Sequence, residues 1–279
     1  MLFPIFYGLI APSNVSAQPL NAINSAIAIA AKIDAQLSIA IGALQITLPN
    51  LLSSATVEGL IGNENKRSKD SAAAMRDRIA DLARSSGSTI HTEILKGDLS
   101  QIKSRFANRA RVHGLAYAEA GIPGELLGGT LIEPLLFESG RPVLVMPNGY
   151  SSSISFEHVL IAWDGSTSAA RAVWDSMPLL RLARTIEIVT VTGEKNLQEV
   201  PAANTLAPML SYLGKQIGVS ILTFDGGSAA SLIMEHAAKI DAGLIVQGAY
   251  GRSRWSELVL GGVTREMLQE STLPVLMSH

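Results

Sequence analysis

The chain repeats itself, and the repeat constrains its fold more than any other feature. Leu136-Phe137-Glu138-Ser139-Gly140-Arg141-Pro142-Val143-Leu144 is matched 132 residues later by Leu268-Gln269-Glu270-Ser271-Thr272-Leu273-Pro274-Val275-Leu276. Leu9-Ile10-Ala11 is matched 151 residues later by Leu160-Ile161-Ala162. Two related domains therefore account for the 279 residues, each long enough to bury a core of its own. The first copy is the longer by about nineteen residues, and Asn50 to Lys69, rich in Ser, Asn and Gly, is where much of that excess is expected. Gly149-Tyr150-Ser151-Ser152-Ser153-Ile154-Ser155 reads as the connection, since small polar residues and glycine do not hold regular structure. The expected domains are 1–148 and 156–279.

Within each copy, short β-branched runs alternate with longer helical patterns, as βαβ units around a parallel sheet require. In the second copy, strands are expected at about 158–163, 185–192, 219–223, 243–248 and 274–278, and helices at 168–182, 202–217, 228–239 and 264–271. Runs such as Ile186-Glu187-Ile188-Val189-Thr190-Val191 and Leu244-Ile245-Val246 are nearly continuous, the pattern of strands covered on both faces. In the first copy, strands fall near 4–10, 36–42, 89–95, 113–117 and 142–147, and Ser71 to Ile79 belongs in the second helix. The fold class is α/β: two Rossmann-like domains, each an open five-stranded parallel sheet flanked by helices.

Composition narrows the function. Hydrophobic residues make up 47% and charged residues 16%, against a usual charged share of ~25%, so layers or partners must cover much of the surface and disorder is excluded. The absence of cysteine removes disulfides, thiolate zinc sites and cysteine nucleophiles. A net charge of −2 without a basic cluster argues against nucleic acid as the main partner. The apolar opening Met1 to Ile10 has no Lys or Arg ahead of it and is interrupted by Pro4, and Ala22 to Leu44 carries Lys32 and Asp34. Neither a secretory leader nor a membrane span is expected, and a cytoplasmic location is.

An open parallel sheet binds ligands beyond the carboxyl ends of its strands, where strand order reverses. Two such ends in the second copy carry unusual residues: Ala162-Trp163-Asp164-Gly165-Ser166, and the segment from Gly248 through Gly251, Gly261 and Gly262 to Val263-Thr264. Gly248 and Gly251 let the backbone turn sharply and approach a bound group. Gly261-Gly262-Val263-Thr264 opens a helix whose unpaired N–H groups and positive end attract an anion. Thr264 adds a hydroxyl, Arg252 or Arg265 a charge, and Asp164 an acceptor for an amino group or a ribose. The plainer alternative is that the glycines turn a loop while Asp164 caps a helix. Joint placement on neighbouring strand ends favours a site.

Here the sequence resembles the universal stress protein family in its tandem two-domain form, over essentially the whole chain. That family's nucleotide signature is glycine, two residues, glycine, nine residues, glycine, then Ser or Thr. This chain has Gly248, Gly251 and Gly261 at that spacing, followed by Gly262, with Val246-Gln247 before and Pro274-Val275-Leu276 in the last strand. The resemblance implies strand order 3-2-1-4-5 in each domain and ATP binding, with magnesium as companion of the triphosphate. It implies that Ala162, Trp163 and Asp164 flank the adenine, that Val191 meets the base through its backbone, and that Gln247, Gly248 and Gly251 lie along ribose and phosphates. Gly261, Gly262 and Val263 would supply phosphate-binding amides. Gly262 departs from the hydroxyl residue of the pattern, a loss of about 0.5–1.5 kcal/mol that Thr264 offsets.

The first copy lacks the signature: Ala116 and Glu119 stand where Gly248 and Gly251 do, Gly129 alone is retained, and Ser13 replaces Asp164. A carboxylate at Glu119 repels phosphate, so one site per chain is expected. Histidine spacing offers no metal motif, His158 and His236 read as surface or interlayer residues, and Trp174 reads as packing. The expected function is an ATP-binding stress-response regulator, at most a slow ATPase, that forms a homodimer through edge strands and contacts further proteins. The alternative is a scaffold of the same fold that binds no nucleotide, with an adenylyl-transferring enzyme third.

Overall fold

A computed structural model of the chain describes residues 4–13, 15, 20–47, 55–121, 129–151, 153–193, 203–224, 226–249 and 262–279. It divides into two compact units, Met1–Ala118 with Thr130–Arg141, and Glu119–Gly129 with Pro142–His279.

The first unit carries β1 (Ile5–Ile10), β2 (Leu37–Leu44), β3 (Ile90–Gly97) and β4 (Leu115–Glu119), all parallel in the order β3-β2-β1-β4. The apolar opening of the chain is thus the central strand β1, its first four residues buried. Around it lie α1 (Asn21–Lys32), α2 (Ala55–Ser86), α3 (Leu99–Ala110) and α4 (Ile132–Glu138). Asp98 starts α3 with a reciprocal cap: its carboxylate accepts from the Gln101 amide, and the Gln101 side chain accepts from the Asp98 amide. The buried phenol of Tyr117 in β4 donates to the Ala22 carbonyl of α1 at 2.9 Å and packs edge-on against Tyr7.

Much of the stretch expected to hold the extra length of this copy is helix: Ala55 to Lys69 lies in α2. α2 runs for 32 residues, through Asn63, Asn65 and Ser68. A tertiary anchor overrides propensity: the Asn65 side chain accepts from the Ile46 amide at 2.7 Å and donates to its carbonyl at 3.0 Å, tying α2 to the exit of β2. Lys66 pairs with Asp70 one turn on, at 2.7 Å.

The second unit contains β5 (Val143–Met146), β6 (His158–Ala162), β7 (Thr185–Thr192), β8 (Gln216–Thr223), β9 (Leu244–Gly248) and β10 (Val275–Ser278). Strands β8, β7, β6, β9 and β10 are neighbours in that order and parallel. β5, contributed by the first repeat, completes this sheet antiparallel to β10, with Leu144 opposite Leu276. The apolar edge that β10 would otherwise present is covered by its repeat counterpart. The helices are α5 (Thr167–Asp175), α6 (Met177–Leu180), α7 (Ala203–Leu210), α8 (Ala229–Lys239) and α9 (Gly262–Glu270). Among the described residues, no helix is long and apolar enough to cross a membrane.

Close helix-to-sheet packing in the first unit depends on glycine. A Cβ at Gly8 in β1 would lie 2.6 Å from the Phe106 ring of α3, and one at Gly42 in β2 would lie 3.1 Å from Ile102. Gly8→Ala is expected to lower unfolding free energy by about 1–3 kcal/mol, read from the urea midpoint, and Phe106→Leu in the same chain should recover part of the loss. An unchanged midpoint for Gly8→Ala would contradict this packing.

Candidate functional site

Each βα connection delivers the amino end of a helix to the carboxyl end of the strand before it. In the second unit the order β8-β7-β6-β9-β10 places the reversal of winding between β6 and β9. Ala162 at the end of β6 lies opposite Gln247 of β9, Gln247 lies opposite Met277 of β10, and Gly248 lies opposite Ser278. The sequence-expected residues Ala162, Trp163, Asp164, Gln247 and Gly248 are therefore brought to one rim. Val191 joins them from β7: β6 ends at Ala162, opposite Val189, so Val191 extends beyond the end of its neighbour. Gly251 and Gly261 lie outside the described residues.

Trp163 is buried, and its backbone is fixed by the sheet. Its amide donates to the Val189 carbonyl at 2.8 Å, and its carbonyl accepts from the Thr190 hydroxyl at 2.9 Å. Asp164 follows, half-buried, with one carboxylate oxygen accepting from the Ser166 amide at 3.0 Å. The carboxylate shapes the turn, and the helix cap is the next polar residue: the Ser166 hydroxyl accepts from the Ala169 amide at 3.1 Å at the start of α5. Asp164 is thus not the cap of α5 that the plainer sequence reading made it.

Gly248 has a definite steric role. A Cβ there would lie 2.4 Å from the Ala169 amide nitrogen and 2.7 Å from the Ser168 carbonyl carbon. Both are backbone atoms of the first turn of α5, which cannot rotate aside as a side chain would. The missing Cβ lets β9 and the amino end of α5 close on each other, and the rim between β6 and β9 inherits that spacing.

Because side chains alternate along a strand, Gln247 faces away from α5, on the opposite side of the sheet from Gly248. Right-handed crossovers put α8 and α9 on that side. Gln247 is 3% exposed, and among the described residues neither its amide oxygen nor its amide nitrogen has a hydrogen-bond partner. A buried carboxamide with both ends unmet costs several kcal/mol. Such groups are uncommon in folded chains, and this one lies at the switch point of the sheet.

α9 begins at Gly262, which is exposed and has no atom within 4 Å of where a Cβ would stand. A side chain at that position would meet open space. Val263 is half-buried and Thr264 buried, so the hydroxyl expected to supplement Gly262 is packed inward. On its inner turn α9 meets α8: the Glu266 carboxylate accepts from the Ser231 hydroxyl at 2.9 Å and from the Ser228 hydroxyl.

The corresponding rim of the first unit is built differently. Ser13 and Val15, after β1, share a groove of about 440 Å³ with Asn63, Lys66, Arg67 and Asp70 of α2. The Lys66 ammonium there is already held by Asp70, whose hydrogen bond and charge raise the lysine pKa. Trp174, expected as packing, is half exposed on α5. His236 is an interlayer residue, its Nε2 3.7 Å from the Glu187 carboxylate, and His158 contacts the Thr185 hydroxyl at 2.5 Å.

The sequence profile of the universal stress protein family matches residues 155–279. Those residues are accordingly a domain of the universal stress protein family. A curated universal stress protein of Synechocystis sp. is 30% identical over 151 residues, covering 53% of this chain and 50% of the relative, so the match spans half of that relative's length. A universal stress protein from Archaeoglobus fulgidus superposes over 99% of this chain and 97% of its own, with a TM-score of 0.70 and 16% identity. A similar protein from Pseudomonas aeruginosa covers 99% and 93%, with a TM-score of 0.62 and 18% identity. At these identities the likeness is one of fold, and it extends to both repeats, including the one the family profile does not match.

The two glycines of the universal stress domain rim are expected to answer substitution differently. Gly248→Ala drives a methyl into helix backbone and should cost about 3 kcal/mol. Gly262→Ala adds a methyl to open space in a first helical turn and should stabilise by about 0.4–1 kcal/mol. Denaturant midpoints of both variants check this, and equal midpoints would contradict the assigned packing.

Proposed function

We propose that residues 156–279 bind an adenine nucleotide, ATP with magnesium, across the carboxyl ends of β6 and β9, and that occupancy regulates a stress response. The observation that carries this reading is the unmet carboxamide of Gln247 at the switch point of the sheet. The amino end of α9, which starts at Gly262, supports it, since helix amides and a positive helix end suit phosphate. In this reading Ala162, Trp163 and Asp164 border the base and Val191 offers backbone groups past the end of β6. Gln247, Gly248 and Gly251 follow the ribose and phosphates, and Gly261, Gly262 and Val263 donate amides, with Thr264 behind them. Magnesium would neutralise phosphate charge. Binding to only one of two surface arrangements shifts their balance, which suits a regulator better than a rapid hydrolase. The first repeat serves as a structural partner, self-association occurs through a sheet edge, and a cytoplasmic location fits this role.

A scaffold that binds no nucleotide is the second reading. One observation favours it: packing against α5 accounts for Gly248 without a ligand. Thermal unfolding separates the two. A ligand at 100 times its Kd stabilises by about 2.7 kcal/mol, so saturating Mg-ATP should raise the melting temperature of the full chain. Gln247→Met removes the unmet amide, and should raise stability without ligand by about 1–3 kcal/mol while reducing the gain from Mg-ATP. No shift of the natural chain with Mg-ATP would establish the scaffold instead.

A further inference from the structure

The second unit leaves one long strand edge bare. Among the described strands, β8 hydrogen-bonds to β7 alone, in register from Gln216 opposite Thr185 to Thr223 opposite Thr192. An unpaired edge is ordinarily made short, charged, bulged or interrupted by proline. β8 has none of these devices: it is eight residues long and reads Gln-Ile-Gly-Val-Ser-Ile-Leu-Thr. β3, the corresponding strand of the first unit, does carry them, with His91, Glu93 and Lys96, and Glu93 is held by Arg109 at 2.8 Å. The other uncharged edge strand, β10, is covered by β5.

The two faces of β8 differ. A Cβ at Gly218 would collide with the Glu187 carboxylate, and the Ser220 hydroxyl donates to that carboxylate at 2.5 Å. Alternation therefore places Ile217, Val219 and Ile221 together on the opposite face, where Val219 is exposed and Ile221 is 63% exposed. Met209 of α7 and Tyr212 in the turn after it are also exposed, and α7 packs on β8.

We infer that β8 is the self-association edge, pairing antiparallel with β8 of a second copy across a two-fold axis perpendicular to the sheet. The inference rests on the self-association reading above and adds which surface carries it. A two-fold axis of this kind makes identical edge strands antiparallel and keeps like faces together. Each copy's Ile217, Val219 and Ile221 then continue the other's apolar row. Charge favours a second copy as occupant: no ionised side chain stands between Gln216 and Thr223, so identical strands meet without repulsion.

Sedimentation velocity and thiol cross-linking on the full chain test the assignment. The natural chain is expected to sediment as a dimer and Ile221→Lys as a monomer that still unfolds cooperatively on heating. The chain has no cysteine, so Val219→Cys introduces a single thiol, which a short bismaleimide should link into a covalent dimer. Val112→Cys, at a site 78% exposed in the first unit, should give no linked dimer. A natural chain that remains monomeric would overturn self-association and the edge together. A dimer that survives Ile221→Lys, or that links through Val112→Cys and not Val219→Cys, would keep self-association and overturn β8 as its edge.

Discussion

The geometry of the second unit depends on the contact between Gly248 at the end of β9 and the first turn of α5. Two backbones approach there more closely than any side chain permits, with 2.4 Å between the Ala169 amide and the position of an absent Cβ. That approach draws the amino end of α5 onto the sheet beside the strand that flanks the winding reversal. The side chain before it, Gln247, lies on the other face, where none of the described residues satisfies its amide. Packing on one face and an unmet amide on the other are consequences of one strand end.

The two repeats share a fold and differ in how their strand ends are used. In the second, short polar residues shape the exit of β6: Asp164 turns the chain and Ser166 caps α5. In the first, the exit of β1 faces an extended α2 whose lysine is already neutralised by an aspartate one turn away. Edge strands show the same division of labour. The last strand of the first repeat closes the sheet of the second through antiparallel pairing, so the repeat that lacks the full glycine pattern contributes structure.

Much of this was legible in the sequence because the central strands are buried on both faces and leave an unbroken β-branched record. The run Thr185 to Thr192 is read to the residue. Edges and helix interruptions were less legible. β8 starts at Gln216, three residues earlier than its apolar run implies, because a half-exposed edge strand tolerates Gln and Gly. The helix expected over 168–182 breaks at Ser176, ahead of Pro178, and the one expected over 202–217 ends at Leu210, followed by a left-handed Gly214. The amino-terminal half of α2 has no apolar period to betray it, and its anchor is polar, the Asn65 side chain on the Ile46 backbone. At the candidate site, the residue types at the rim were readable. The steric reason for Gly248 and the unmet amide of Gln247 were not, because both depend on neighbours distant in sequence.

The central claim is a single nucleotide site, in the second repeat alone. Isothermal titration of the full chain with Mg-ATP measures it directly through stoichiometry. One nucleotide per chain, abolished by Asp164→Ala, is the predicted result. No binding heat, or two equivalents per chain, would contradict it.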